Sequence, residues 1–500
     1  MQYKYINFVI CKIKYYIVKI CVIIQLCFSN RRIEQSFRKA FERVIGYVEG
    51  ERNVENDLNL AQFYGKSQNY TQIPRKWYKK YGVKRGLRNE DKTGVLIGLT
   101  RIADVVGYKI DDEGRKCDAE GELYYRGISV EDMVSSSKNV KNLYEEASFL
   151  LLFGYLPTEA DLHKYSARLK DGYELPGGFL ENHILRYPGK NLMNQLQLGI
   201  LALYNYDKNP DDTDVYKTLV KGIDIMAKMP SLVCYAYNAK QHYYGRESLV
   251  LHYPKREYST AENILSMLRL DGSFTEEEAH LLDVMLLLHA DHGGGTNSTF
   301  ANVVVSSTDT DLYSSIASSI GALKGPRHGG ANIRTANMMD KVIRAVGTDA
   351  SDDDIRKVID RLMAGELDNP SRLVYGIGHA VYTLSDPRAK VIRSLVAHLA
   401  PKKGMEREFD FFQRFERVGS AYLSEKKGVA LSANVDFYSG LAYRMLGIPR
   451  DLFTPLFVLS RMVGWLAHNI EHKLYDDRIV RPAAKYVGEM MAYIPWEERK

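Results

Sequence analysis

Apolar positions recur along this chain with a period near 3.6 far more often than with a period of 2, which predicts a protein built mainly from helices. Helical patterns run over residues 143–153, 192–204, 215–229, 261–268, 276–288, 312–323, 352–363, 390–399, 409–426 and 452–474. The first has a broad apolar face, stops at Gly154 and has Pro157 beyond it, the expected ending of a helix. Residues 94–106 (GVLIGLTRIADVV) and 121–134 (GELYYRGISVEDMV) are short and partly alternating, which predicts a few small strands and a helix start at Ser129. Two helices are unlike surface helices. Leu281, Leu282, Val284, Met285, Leu286, Leu287 and Leu288 cover most of one circumference, as do Phe453, Leu456, Phe457, Leu459, Met462, Val463, Trp465 and Leu466 in the other, so both are predicted to run through the core or a subunit interface. There is no βαβ alternation, heptad run or internal repeat.

Composition narrows the function classes. Five hundred residues, 45% of them hydrophobic, suffice for a large core or two domains. The formal charge of +6 is not spread over the chain: residues 1–50 hold nine Lys/Arg and three Asp/Glu, leaving 59 of each sign in the other 450. A neutral body argues against nucleic acid as a partner. Three of the five cysteines, Cys11, Cys21 and Cys27, lie in the first thirty residues. The body keeps only Cys117 and Cys234, which offer neither a disulfide framework nor a CxxC metal pattern and fit a reducing, cytoplasmic setting.

The leader itself is ambiguous. Its apolar run at residues 20–28 is too short for a span, Lys12, Lys14 and Lys19 break anything longer, and no small-residue cleavage site follows. It reads either as a non-native upstream extension or as a targeting segment or tether, and the body of the chain as free of membrane. Residues 51–92 are polar, charged and Tyr-rich, a surface arm leading into the fold.

Chemistry collects where histidines meet glycines: His289 and His292 in LLHADHGGGTNST, His328 in LKGPRHGGAN, and His379 in GIGHAVYTLSDPRA. Glycine allows close approach of backbone to a ligand, though any one His–Gly pair taken alone is more often a surface turn. Arg461 is a single charge inside an apolar helix. It needs an anion, which a buried carboxylate, a snorkelling geometry or a carboxylate substrate could each provide. Asp436, between Val435 and Phe437, reads as a helix N-cap or as a carboxylate whose pKa is raised into a general-base range by apolar surroundings. Together, several histidines, one carboxylate and isolated arginines, with no nucleophilic Ser or Cys, describe proton abstraction beside a carbonyl on an anionic substrate. The H-A-D-H segment lacks the glutamate of HExxH, so no metal is expected.

These blocks, with NVDFYSG, LSRMVGWLAH, RIVRPAAKYVG and the earlier GELYYRG and EEASFLLLFGYLPT, resemble the signature blocks of the citrate synthase family, in order and at plausible spacing, from about Tyr81 to the C-terminus. The resemblance implies a mainly α, two-domain helical homodimer with a few short N-terminal strands. Behind the leader (1–50) and arm (51–92), it divides the chain into a large domain (93–332 and 448–500) and a small mobile domain (333–447). It implies that Asp436 removes a methyl proton from acetyl-CoA, that His328 hydrogen-bonds the thioester oxygen, and that His379 polarises the oxaloacetate carbonyl, giving citryl-CoA that is then hydrolysed. His292, His379, Arg388, Arg461 and Arg481 would bind oxaloacetate, with Arg481 coming from the partner subunit. Val374, Tyr375, Gly376, Ile377 and Gly378 resemble the loop that wraps the coenzyme A adenine, and Arg327 could supply a charge there. Thr383 stands where many members carry a basic residue for a coenzyme A phosphate. Acetyl-CoA would be a co-substrate, and no permanently bound cofactor is implied. Two alternatives are 2-methylcitrate synthase, using propionyl-CoA, and an inactive helical dimer with a structural or regulatory role.

Overall fold

The computed structural model describes residues 62–67, 71–91, 93–113, 115–136, 141–476 and 478–499. The expected leader at residues 1–50 lies outside them. The described residues fall into two compact units. One joins the residues up to Leu87 with Ala484–Lys500, and includes the short helix Lys76–Lys80 and a 3-10 turn at Trp496–Glu498, neither of which buries a side chain.

The other unit, Arg88–Ala483, carries the regular structure. It opens with an antiparallel sheet of β1 (Ala103–Ile110), β2 (Lys116–Tyr125) and β3 (Ile128–Ser129), in which Ala103 pairs with Tyr125 and Ile110 with Lys116. Helices follow: α1 (Val130–Ser135), α2 (Leu143–Phe153), α3 (Glu159–Asp171), α4 (Leu192–Leu203), α5 (Val215–Lys240), α6 (Thr260–Leu268) and α7 (Glu276–His289). After them come α8 (Asn297–Ser306), α9 (Leu312–Lys324), α10 (Ala331–Val346), α11 (Asp352–Ala364), α12 (Pro387–Leu399), α13 (Glu406–Lys427), α14 (Val435–Met445) and α15 (Phe453–Tyr475). With 58% helix and 6% strand the protein is mainly α, as the periodicity predicts.

Most predicted helices appear within a few residues of their expected ends. α2 ends at Gly154, and α1 starts at Ser129, whose hydroxyl accepts from the Glu131 and Asp132 amides. The largest difference is α5, expected to stop at Met229 ahead of Pro230 but continuous to Lys240. A proline in a helix sacrifices one backbone bond. Here Pro230 and Leu232–Ala236 are all buried, and that burial outweighs the lost bond. The strand predicted at 94–106 is shifted to 103–110.

Two helices form the axis of the core, as their all-round apolar surfaces predict. Leu281, Leu282 and the run from Val284 to Leu288 in α7 are buried, and α15 buries sixteen residues, Trp465 and Leu466 completely. α15 packs against α2, α5, α7, α8 and α9. Gly464 allows one close approach: a Cβ there would stand 2.6 Å from the Ala290 carbonyl oxygen and 2.3 Å from an Asp291 carboxylate oxygen. The C-terminal end of α7 is thereby pressed onto α15. A second group, α10 to α14, packs largely within itself, α10 and α12 on α14 and α11 on α13.

Candidate active site

The site grows from four chain segments that the core helices hold in place. The first is the end of α7. Tyr125, buried at the end of β2, donates its hydroxyl to the Leu287 carbonyl (2.9 Å) and accepts from the Asp291 amide (3.2 Å), tying the sheet to the helix end. The buried Asp291 carboxylate accepts from the Gly293 amide at 2.8 Å and meets His468 Nε2 of α15 at 3.3 Å. Burial alone would raise its pKa, but His468, Arg461 and the Gly293 amide together bring it below the usual carboxylate range. Loop 291–296 is thus pinned from both sides. It presents His292 beside the buried His289, whose Nδ1 donates to the Met285 carbonyl at 2.7 Å.

The second segment is the glycine-flanked loop before α10. His328 Nε2 lies 2.9 Å from the Ser298 hydroxyl, which also accepts from Trp465 Nε1 at 3.2 Å. Indole N–H only donates, so the serine proton stays available to His328 Nε2, an arrangement that puts the imidazole proton on Nδ1. The third is α15 itself. Arg461 is 1% exposed; its Nε donates to the His289 carbonyl at 2.6 Å, its guanidinium lies over Phe457, and its Nη2 has no hydrogen-bond partner among the described residues. Burial pushes its pKa down to about 10, so it keeps its charge at neutral pH. Of the readings of Arg461 left open by the sequence, the snorkelling one is excluded by this burial. The carboxylate nearest in its electrostatic surroundings, Asp291, is engaged by His468 and Gly293 rather than by the guanidinium.

The fourth segment runs from Val374 into α12. The backbone around Gly376 and Gly378 pairs with residues 432–434: the Gly378 amide donates to Ser432, and the Asn434 amide to Gly376. This strand-like contact sets the His379 loop against the start of α14. His379 Nδ1 accepts from the Val381 and Tyr382 amides at 3.1 and 3.2 Å, so its proton is on Nε2. Tyr382 is stacked on His379, ring centres 4.8 Å apart. Asp386 caps α12 with Pro387 in its first turn and holds Arg388 through both oxygens, at 3.0 and 2.8 Å, while accepting from the Val435 amide at 3.0 Å.

Asp436 sits in the first turn of α14, and the N-cap is its neighbour Asn434, which accepts from the Asp436 amide at 3.0 Å. The cap reading of Asp436 is therefore corrected: Asn434 does that work, and the Asp436 carboxylate has no hydrogen-bond partner among the described residues. Burial pushes its pKa up to about 6, with Arg388 pulling it back and Asp386 reinforcing the rise. The histidines shift the other way. Burial pushes His289 down to about 3 and His328 and His379 to about 4, and lowers His292 well below its usual value, aided by Arg388 and His379. Four neutral imidazoles, a base with an elevated pKa and two buried guanidiniums that repel each other form a set of groups suited to a small anion with a polarisable carbonyl. Among the described residues no group of His, Cys, Asp and Glu is arranged to hold a metal ion, and no helix is long and apolar enough to cross a membrane.

His292, His379 and Arg388 are brought together directly, and Arg461 senses Arg388. Arg481 is exposed in the single chain, one residue beyond Val480, whose amide donates to Ser307 at the end of α8. Arg327 is exposed, while Val374 and Ile377 are buried and the carbonyls of Gly376 and Gly378 already accept from Asn434. Thr383 turns to the sheet, donating to the Gly107 carbonyl at 2.7 Å and accepting from the Ala119 amide at 3.1 Å. Sequence reasoning missed Asp291 and Asp386. The second had a signal, an Asp-Pro-Arg run in which an N-cap precedes an N1 proline.

Comparisons with known proteins find relatives over most of the chain. The family model described as citrate synthase, C-terminal domain, matches residues 91–483. The citrate synthase of Haloferax volcanii is 36% identical over 423 residues, covering 83% of this chain and 99% of its own length. That of Saccharolobus solfataricus is 34% identical over 419 residues, with the same two coverages of 83% and 99%. A solved ternary complex of carboxymethyl coenzyme A and oxaloacetate with the citrate synthase of Thermoplasma acidophilum matches at a TM-score of 0.66 and 28% identity, over 81% of this chain and 97% of that one. On fold and sequence together, the chain belongs to the citrate synthase family of acyltransferases.

Proposed function

We propose that this chain condenses acetyl-CoA with oxaloacetate and water to give citrate and coenzyme A. The observation that carries the reading is the buried Arg461, with Nη2 unpartnered, in the field of the equally buried Arg388. A buried cation without its anion costs several kcal/mol; Arg388 is already paired with Asp386, and a substrate carboxylate supplies the missing charge to Arg461. In the proposed reaction Asp436, ionised above about pH 6, takes a methyl proton from acetyl-CoA. His328 donates from Nδ1 to the thioester oxygen as the enol forms, which supplies the stabilisation that so weak a carbon acid requires. His379 donates from Nε2 to the oxaloacetate ketone, and the enol carbon attacks it to give citryl-CoA, whose thioester water then cleaves.

His292, Arg388 and Arg461 hold the oxaloacetate carboxylates, joined by Arg481 of the partner subunit in a homodimer. Residues 333–447, carrying His379, Arg388 and Asp436, act as the mobile domain that closes on His292, His328 and Arg461 and excludes water. Val374 to Gly378 and Arg327 contact coenzyme A. Thiol release from acetyl-CoA or propionyl-CoA, with and without oxaloacetate, tests the reading. Oxaloacetate-dependent release with acetyl-CoA is expected, a clear preference for propionyl-CoA would make the enzyme a 2-methylcitrate synthase, and release with neither would leave an inactive dimer.

A further inference from the structure

Tyr382 touches three of the oxaloacetate-binding residues at once. Its ring is stacked on His379 at 4.8 Å and 29°, its hydroxyl lies 3.2 Å from His292 Nε2, and the Arg388 guanidinium stands 5.5 Å from its ring centre. Its own amide is one of the two donors to His379 Nδ1. The side chain is 3% exposed, and the hydroxyl has no other partner among the described residues. The sheet backs it: a Cβ on Gly121 would stand 2.7 Å from the ring, so β2 leaves no room for the tyrosine to swing away from the histidines.

The hydroxyl decides the state of His292. Burial and Asp386 hold the phenol well above its usual pKa, so it keeps its proton and needs an acceptor. His292 Nε2 is the acceptor within reach, and the imidazole is neutral. The His292 proton is therefore on Nδ1, which has no partner among the described residues and is free to donate to a ligand. We infer that Tyr382 is a positioning residue for oxaloacetate: its hydroxyl fixes the His292 tautomer, and its ring seats His379 and Arg388 against one another. The inference rests on the proposed condensation for its substrate, and on the hydrogen bond alone for its tautomer.

The test separates the two. Tyr382→Phe keeps the stack and the face under Arg388 but removes the hydroxyl. Loss of one hydrogen bond, about 1 kcal/mol, corresponds to roughly a fivefold effect, and a 5- to 20-fold rise in oxaloacetate KM is expected with at most a threefold fall in kcat. In a His292→Asn background the same substitution should cost no more than twofold, because its acceptor is gone. Tyr382→Leu, which also removes the stack, should lower kcat at least tenfold. Imidazole nitrogen NMR of the full chain reads the His292 tautomer whether or not the enzyme turns over: Nδ1-protonated in the parent, mixed in Tyr382→Phe. An unchanged tautomer, or a Tyr382→Phe penalty equally large without His292, overturns the inference. A parent protein with the expected tautomer but no oxaloacetate-dependent thiol release would overturn the proposed function instead.

Discussion

Asp436 is poised as a base by what surrounds it rather than by what bonds to it. Asn434 takes the capping role, so the carboxylate is left without a hydrogen-bond partner among the described residues, its pKa raised by burial and opposed by Arg388. Because the ionised form is the active one, kcat/KM should fall about tenfold per unit as pH drops below about 6, and be flat above. A profile with no limb between pH 5 and 7 would contradict the assignment. Asp436→Asn should lower kcat about 10³-fold with little change in oxaloacetate affinity, measured by calorimetry. Arg461 behaves in the opposite sense. Its guanidinium is charged and waiting, so Arg461→Met removes binding rather than chemistry, and the oxaloacetate Kd should rise about 10²-fold. If the two substitutions exchange these signatures, the roles are reversed. At this scale the sequence was informative about residue type and silent about partners: Arg461 and Asp436 stood out as charges in apolar runs, but the engagement of Asp291 by His468 and the bond from Tyr382 to His292 join segments about 90 to 180 residues apart, which no local pattern records.

Elements were legible where their buried positions are apolar. α2 reads from the sequence because every third or fourth residue is Leu, Phe or Ala and Gly154 ends it. α8 does not, since its buried positions are Ser298, Thr299, Asn302 and Ser306, and hydrophobic periodicity carries no trace of a face made of hydroxyls and an amide. Yet that face matters, because Ser298 is the hydrogen-bond partner of His328 Nε2. The sheet was foreseen only as a few short strands; its use emerges from packing. Thr383 and Ser385 bind β1 and β2 through Gly107, Ala119 and Gly121, so the loop carrying His379 and Tyr382 is seated on the sheet. This also explains Thr383: its hydroxyl serves the sheet and leaves it no role as a phosphate ligand. Gly121→Ala should reveal how much the seat contributes. A Cβ there meets the Ser385 carbonyl oxygen at 2.1 Å, backbone against backbone, so the loop must move. A displacement of about 1 Å is expected to cost about 10²-fold in kcat/KM, with the helical circular dichroism unchanged. Retained activity would show the loop to be positioned from the α14 side alone.

For the whole molecule the open term is Arg481, which is exposed in the single chain while the other two arginines proposed for oxaloacetate, Arg388 and Arg461, are buried. A two-fold dimer offers a direct test, because each interface residue is presented twice and reciprocally. Arg481→Ala and Asp436→Ala subunits should each form nearly inactive homodimers. When the two are unfolded together and refolded, half of the dimers are hybrids. In a hybrid, the site that keeps its own Asp436 receives Arg481 from the Asp436→Ala partner and is complete, while the other site lacks both. Random pairing therefore predicts recovery of about one quarter of the parent activity if Arg481 acts across the interface. If Arg481 acts within its own chain, no subunit in any pairing holds both residues and nothing is recovered. The outcome also fixes the assembly, since a site completed in trans makes the dimer, and not the folded chain, the smallest active unit.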